Sequence, residues 1–416
     1  MANFDIYTVT GTKGKTTVVT VLAKVLRELT HKNVLHVTTL GHYINGEQKS
    51  TLKDSLSTWG LVSSVSPGRY LYECLHFEPG SSAVLEASLG SSSLAGLGYG
   101  RHKVGIFLNV FKDHIGNSKR INSQKDIAKA KQFVFTRVKK GGWVVYNNDD
   151  RRVVSSLSVV SSRTSRISFG LTKPSNEKFH ISLEGDMVSF SSPDGEQLLL
   201  DIKDIPWTFN GAFKPSIYNL LAVIAGVIAG ADGKVPTNLA ESLKNTKLDE
   251  YGGRLTLFKN DKNVHILADY AHEEESLQAV ATLARQKVSD AGKVIGVVRL
   301  AYDRTDAHII QTAKAIATSY DAFIVYDKID GYNRMPKDVS HQKFTQGVGK
   351  ISEVFSAALQ KYVKKGTPVE TILREDLALQ RAAKLANPGD VVVHIVNDDV
   401  RQSIDWVKEF FSAELE

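Results

Sequence analysis

Cysteine is nearly absent: Cys74 is the only one in 416 residues. That excludes an intrachain disulfide and a cysteine-built metal site, so any metal must be held by oxygen and imidazole. Long hydrophobic runs are missing too. No stretch approaches about 18 uncharged apolar residues, and the residues before position 8 lack both a basic start with an apolar core and a cleavage site. These absences predict a cytoplasmic protein with no membrane partner. Runs of one charge are also lacking. The net charge is +7, but the 52 lysines and arginines are scattered rather than gathered among aromatics. That argues against nucleic acid and for a phosphorylated nucleotide or an acidic substrate. What the chain does have is 42% hydrophobic residues, enough to bury the cores of two or three domains.

Strand-like and helix-like runs alternate: "DIYTVT", a helix from Lys15 to Leu29, then "VLHVTT", "SAVLEAS", "VGIFLNV" and "WVVYNN". Such alternation predicts a parallel sheet covered by helices. After Asp150 the pattern changes. "RISFGL", "FHISL", "MVSFSS" and "QLLLDI" read as short strands between turn residues, a small antiparallel elaboration over roughly 160–205. "YNLLAVIAGVIAG" restores helix, and from Asp249 a second alternating unit begins with "VHILADY", "KVIGVVRL", "AFIVYD" and "DVVVHIVND". The expected fold class is α/β: a P-loop parallel-sheet ATPase domain over 1–248, then a Rossmann-like α/β domain over 249–416.

The stretch "TVTGTKGKTT" carries the chemistry. A standard P-loop needs glycine six residues before its lysine, where this chain has Val9, yet the shorter core supplies the required parts. Gly11 and Gly14 let the amides around Thr12 and Lys13 turn toward phosphate. The helix starting at Lys15 points its positive end there, Lys15 reaches the outer phosphates, and Thr16, followed by Thr17, offers a hydroxyl to magnesium. Two more polar stretches close apolar strands: Glu86 in "AVLEASLG", and Asn109, Asp113 and His114 in "IFLNVFKDHIG". Open parallel sheets bind ligands at those carboxyl ends, so Glu86 and His114 are candidate partners of Thr16 around a metal. Cys74 reads as a buried or incidental thiol, Tyr70, Tyr72 and Phe77 as packing, and Trp207 as a hydrophobic plug rather than a nucleotide-pocket wall.

Taken together, these segments resemble the Mur ligase family, ATP-dependent amide-bond ligases that work through an acyl-phosphate. "GTKGKTT" is similar to its P-loop, "LEAS" to its magnesium-binding segment, "LNVFKDHIG" to its "TN…DH" segment and "AKAKQFVF" to its "AK..LF" element. "YNLLAVIA", "GGRLTLF" and "VHILADYAH" resemble later family segments in the same order. Within the family the likeness is strongest to the ligase half of cyanophycin synthetases, through "GLGYGRHKVG" and "YDRTD". The resemblance implies ATP and Mg2+ as cofactors, and an amino acid and a peptide or polyamide acceptor as substrates. It implies catalytic roles for Lys15, Glu86, His114 and Lys131, the last matching a lysine that is carbamylated in several members. It implies metal contacts from Thr16, Glu86 and His114, and nucleotide contacts from Asn109, Asn219, Arg254 and Asp269. His272, Asp303, Arg304 and Asp306 would lie near the incoming amine. A separate ATP-grasp partner and a homo-oligomer are left open.

Departures from the family pattern concentrate at the amine end. "AHEEE" stands where the family has "AHNP", and "RLAYDRTD" puts Arg299 and Tyr302 where the ligase half has glycines. "KPSIYN" puts Pro215 and Ser216 in place of His-Asn. Acidic residues at Asp303, Asp306 and Glu273 to Glu275 would suit a basic amino acid, or simply begin helices. Three functions remain in competition: a cyanophycin-like isopeptide ligase, a poly-γ-glutamate synthase-like ligase, and a degenerate ATP-binding partner. A nucleotide-dependent switch or transport ATPase is the weakest.

Overall fold

The computed structural model describes residues 4–51, 63–93, 96–112, 115, 121–174, 176–252, 254–301, 304–328, 348–397 and 399–416. The chain divides into two compact units, Met1–Leu248 and Asp249–Glu416.

In the first unit, strands β1 (Phe4–Thr10), β2 (Val34–Thr38), β3 (Gly41–Ile44), β4 (Glu47–Thr51), β5 (Ser81–Glu86) and β6 (His102–Phe107) precede β7 (Val138–Asn147) and β8 (Ser165–Phe169). Strands β9 (His180–Glu184), β10 (Met187–Ser192) and β11 (Gly195–Asp201) follow. Among the described residues they form one sheet in the order β11-β10-β9-β8-β7-β6-β1-β5-β2-β3-β4. β1 lies parallel between β5 and β6, so the strand feeding the glycine-rich loop is central. Alternate residues of each inner strand enter different cores, as expected for a sheet covered on both faces. Val104 and Ile106 of β6 join Val145 of β7 against the Lys15–Thr30 and Lys214–Gly230 helices, while Phe107, Val144 and Tyr146 pack with Ile127, Phe135 and Val153.

The Lys15–Thr30 helix contains Val18, Val19, Val21 and Val25, poor helix formers by propensity. All four are fully buried, so tertiary packing overrides the local preference. The chain enters this helix through Gly14 (φ 81) and leaves it through His31 (φ 54), both left-handed.

The segment expected to be an antiparallel elaboration is only partly so. β9, β10 and β11 are antiparallel, but β8 pairs in parallel with β7, and β9 in parallel with β8. Short helical turns at Arg151–Ser155 and Ser156–Val159 carry the chain from β7 to β8, and all of these strands extend the main sheet. The serine-rich text there hid a crossover of less than three turns.

The second unit contains β12 (Thr256–Asn260), β13 (His265–Asp269), β14 (Val294–Val298), β15 (Ala322–Val325), β16 (Val369–Thr371), β17 (Val391–Ile395) and β18 (Ala413–Leu415). Their order is β16-β15-β14-β17-β13-β12-β18, parallel from β16 to β13 and antiparallel at β12 and β18. One face packs Ile266, Ile295, Ile324 and Val392 against the Glu375–Leu385 and Val400–Phe411 helices. Among the described residues no helix is long and apolar enough to cross a membrane.

Candidate functional site

The glycine-rich loop is shaped by contacts that only glycine permits. A Cβ on Gly14 would run into the side-chain amide of Asn219, and one on Gly11 would come 2.9 Å from Leu108 Cβ. Gly14 also needs its positive φ and, as the N-cap residue, brings no side chain of its own to cap the helix, whose first turn opens at the loop. Asn109, just past β6, braces the loop: its Oδ1 accepts from the Thr12 and Lys13 amides at 3.0 and 2.8 Å, and its Nδ2 donates to the Lys13 carbonyl at 3.1 Å. The Thr12 hydroxyl accepts from the Phe111 amide at 3.1 Å. Lys15 folds back over the loop, its Nζ donating to the Thr12 carbonyl at 3.0 Å. Thr17 is buried in the first turn behind it.

Beside the loop, Glu86 closes β5 with only 2% exposure. Its carboxylate accepts from the Thr16 hydroxyl at 2.9 Å, and from the Thr39 amide and hydroxyl at 3.2 and 3.0 Å. Three donors offset the cost of burying that charge. Sequence reasoning missed Thr39, although its place just past β2 follows the same strand-end logic as Glu86. Lys131, buried at the end of the Gln124–Lys131 helix, places Nζ 3.3 Å from the Thr10 hydroxyl, which donates to the Ala87 carbonyl at 2.8 Å. Gly11 to Thr17, Glu86, Asn109, Lys131 and Asn219 therefore gather at one edge of the first sheet. Asp113 and His114 lie outside the described residues, as does Asp303. Thr16 and Glu86 are hard oxygen donors and fit magnesium, although among the described residues no cluster of three or more His, Cys, Asp or Glu side chains forms a metal cage.

Residues outside this edge take other roles. Cys74 is buried with Leu35, Val37 and Leu85, and burial pushes its thiol up to about 12, so it is no nucleophile. Trp207 is part of the first unit's core, as the plug reading expects. Tyr72, read as packing, is 60% exposed, because the 3-10 turns over Pro67–Cys74 bury Tyr70 and Cys74 on the opposite face.

In the second unit, Asp269 ends β13 and accepts from the Leu255 amide at 2.8 Å. Tyr270 follows, with the guanidinium of Arg254 5.1 Å from its ring centre, and His272 Nδ1 donates to its carbonyl at 2.8 Å. Arg304 precedes the Asp306–Ile316 helix, which Thr305 caps and whose first residue, Asp306, is exposed. Of the acids in "AHEEE", Glu273 caps the Glu274–Lys287 helix through the Ser276 amide, and Glu274 accepts from Gln311 at 2.8 Å. Helix capping thus employs Glu273, and a side-chain contact Glu274, two residues that the sequence also allowed as contacts for a basic amine.

Residues 9–227 match the Mur ligase middle domain, and residues 253–395 match the Mur ligase, glutamate ligase domain. The chain belongs to the Mur ligase family. Members of this family are ATP-dependent ligases that form C–N bonds. Among curated relatives, the cyanophycin synthetase of Trichormus variabilis is 29% identical over 97% of this chain. The chain spans 42% of that protein's length. Among solved structures, E. coli FolC in complex with DHPP and ADP has a TM-score of 0.67 at 14% identity, covering 97% of this chain and 88% of FolC. MurF from Acinetobacter baumannii has a TM-score of 0.65 at 14% identity, covering 99% of this chain and 77% of MurF. These neighbours share the Mur ligase fold.

Proposed function

We propose that this chain is an ATP-dependent ligase that activates a carboxylate as an acyl-phosphate and joins an amino acid or related amine to it. The observation that carries the reading is the buried pairing of Thr16 with Glu86 in the first turn of the helix that follows Gly14, with Lys15 and Lys131 at the same strand ends. When bound, ATP supplies the phosphoryl group and magnesium the charge neutralisation that lets two anions approach. The chain's own part is positional. The Thr12 and Lys13 region, braced by Asn109, and the amides of the Lys15–Thr30 helix would cradle phosphate. Lys15 would leave the Thr12 carbonyl for the outer phosphates, and Thr16 with Glu86 would hold the metal. Asn219, already against Gly14, would meet the nucleotide. Lys131 would be carbamylated at Nζ, which replaces its ammonium by a carbamate whose oxygens would face the metal beside the strand ends. Arg254 and Asp269 would serve the nucleotide, and His272, Arg304 and Asp306 the amine. The likeness to cyanophycin synthetases supports a polyamide or peptide acceptor.

The test is phosphate release from Mg-ATP with each of the twenty amino acids, with and without short aspartyl and γ-glutamyl acceptor peptides, and Lys15→Ala as control. The expected result is stimulation by one amino acid with one acceptor, a matching mass gain of the acceptor, and loss of both in the variant. ATP binding with no stimulation by any pair would overturn the reading in favour of a non-catalytic ATP-binding partner.

A further inference from the structure

We infer that Thr39, held in turn by Ser64, is a positioning residue for the metal: it fixes the Glu86 carboxylate in the orientation in which Glu86 and Thr16 together take a divalent cation. This rests on the ligase reading above, which assigns that cation to Thr16 and Glu86. Rotation about the last bond of a glutamate side chain is soft and roughly two-fold, so burial alone does not orient a carboxylate. Thr39, the first residue past β2, supplies what burial does not. Its amide donates to Glu86 Oε2 at 3.2 Å and its hydroxyl to Oε1 at 3.0 Å, so one residue grips both oxygens. β2 and β5 are paired neighbours, with Val37 beside Leu85, which brings the two strand ends within reach.

The hydroxyl protons set the direction of the chain behind that grip. Thr39 Oγ1 also lies 3.1 Å from Ser64 Oγ. A carboxylate only accepts, so the single Thr39 hydroxyl proton goes to Glu86 and Ser64 donates to Thr39. Hydrogen bonds in such a series polarise and strengthen one another. Ser64 is 1% exposed and is itself locked, its carbonyl accepting from the Ser88 amide and the Ser91 hydroxyl, both at 2.9 Å. Next to it, Val65 lies against Gly90, where an added Cβ would come 3.0 Å from the Val65 side chain. Ser88, Gly90 and Ser91 follow β5, the strand that ends in Glu86. The contacts therefore close a ring, from Glu86 through Thr39 and Ser64 back to the segment after β5, and the serine-rich "ASLGSSS" supplies the closure. Thr16 donates to Oε2 at 2.9 Å from outside this ring. A cation can take the Thr16 oxygen and the remaining carboxylate lone pairs while both Thr39 bonds persist. Were Thr39 only a donor to a buried charge, its loss would leave the carboxylate more negative and, by charge alone, draw a cation more tightly. A positioning residue gives the opposite sign.

The test is titration of Mn2+ into the full chain with ADP, followed by electron paramagnetic resonance, for the wild type, Thr39→Val, Thr39→Ser and Ser64→Ala. ADP affinity in EDTA, a thermal melt and amine-stimulated phosphate release are measured beside it. Thr39→Val keeps the shape and the amide but loses the hydroxyl. It should weaken Mn2+ about tenfold or more with metal-free ADP affinity unchanged, Thr39→Ser should restore Mn2+ to within about threefold, and Ser64→Ala should weaken it about threefold or more. If Thr39→Val does not fold, Ser64→Ala decides by the same sign. Mn2+ bound as tightly or more tightly by the variant, a Thr39→Ser no better than Thr39→Val, metal-free ADP affinity falling in step with Mn2+, or no Mn2+ site in the wild type would overturn the inference. Mn2+ weakened as expected, but no amine-stimulated phosphate release by the wild type with any acceptor, would instead overturn the ligase reading and leave this one standing.

Discussion

Single atoms decide the loop. An alanine at Gly14 would need φ 81 and a Cβ inside the Asn219 amide, so Gly14→Ala should cost roughly 1–3 kcal/mol in stability and abolish nucleotide binding. Urea melts and calorimetry with ADP would show it, and wild-type nucleotide affinity in the variant would refute the close packing. Glu86→Gln keeps the shape that accepts from Thr16 and Thr39 but removes the charge. It should leave the melt nearly unchanged and lower turnover on the order of a hundredfold, with a raised magnesium requirement in a metal titration. His102 gives a pH prediction. It is fully buried, Nε2 donates to the Val134 carbonyl at 2.7 Å, and burial brings its pKa down to about 4. The unfolded chain, with histidine near 6.5, takes up protons first on acidification. The stability this group contributes is therefore present above about 6.5 and lost as pH falls toward 4, with up to ~3 kcal/mol at stake. Urea midpoints at pH 7.5 and 5 should differ, and less so in His102→Gln.

At the scale of elements, a helix cap reaches the edge proposed to hold the site. Ser123 accepts from the Asp126 amide, and Asp126 accepts in return from the Ser123 hydroxyl at 2.8 Å and the Asn122 amide at 3.1 Å. This cap starts the Gln124–Lys131 helix, whose last residue is Lys131. Ser123→Ala should cost about 1 kcal/mol and lower turnover more than nucleotide affinity, since it frays the element that aims Lys131 rather than the loop; steady-state kinetics beside a thermal melt would separate the two. The same scale explains what the sequence disclosed. The loop was legible because its glycines, lysine and threonines are contiguous, and Glu86 because a carboxylate ends an apolar strand. β8 was misread because the Arg151–Ser155 and Ser156–Val159 turns are too short to show a helical period. The grouping at Tyr270, whose ring centre lies 5.1 Å from Arg254, 4.8 Å from Arg299 and 5.6 Å from Lys328, was hidden for another reason: these residues follow or precede different strands, and only the strand order β15-β14-β17-β13 brings their ends together. Arg299 was visible as a departure from a glycine, yet nothing local said that it would be buried on a tyrosine.

Across the whole molecule, each unit holds its own cores. Val18, Leu22, Val104 and Leu221 belong to one in the first unit, and Phe258, Ile266, Ile295, Val392 and Phe411 to one in the second. The second unit also closes its sheet with its own last residues, since β18 pairs with β12 and Glu416 approaches His265 at 3.3 Å and Lys287 at 3.5 Å. Near its start, Tyr251 is held to the Val400–Phe411 helix by Arg401, 4.4 Å from its ring centre, and by its hydroxyl donating to Asp405 at 3.1 Å. A segment whose two ends are both tied into its own core should fold without the rest. Residues 249–416 expressed alone should therefore give a monomer with a single cooperative urea transition. The full chain should show two transitions, and the first unit's should shift upward more with ADP, because ligand binding stabilises most the unit that holds the phosphate loop. One coincident transition for the full chain, together with an unfolded 249–416 fragment, would mean that the second unit borrows its stability from the first.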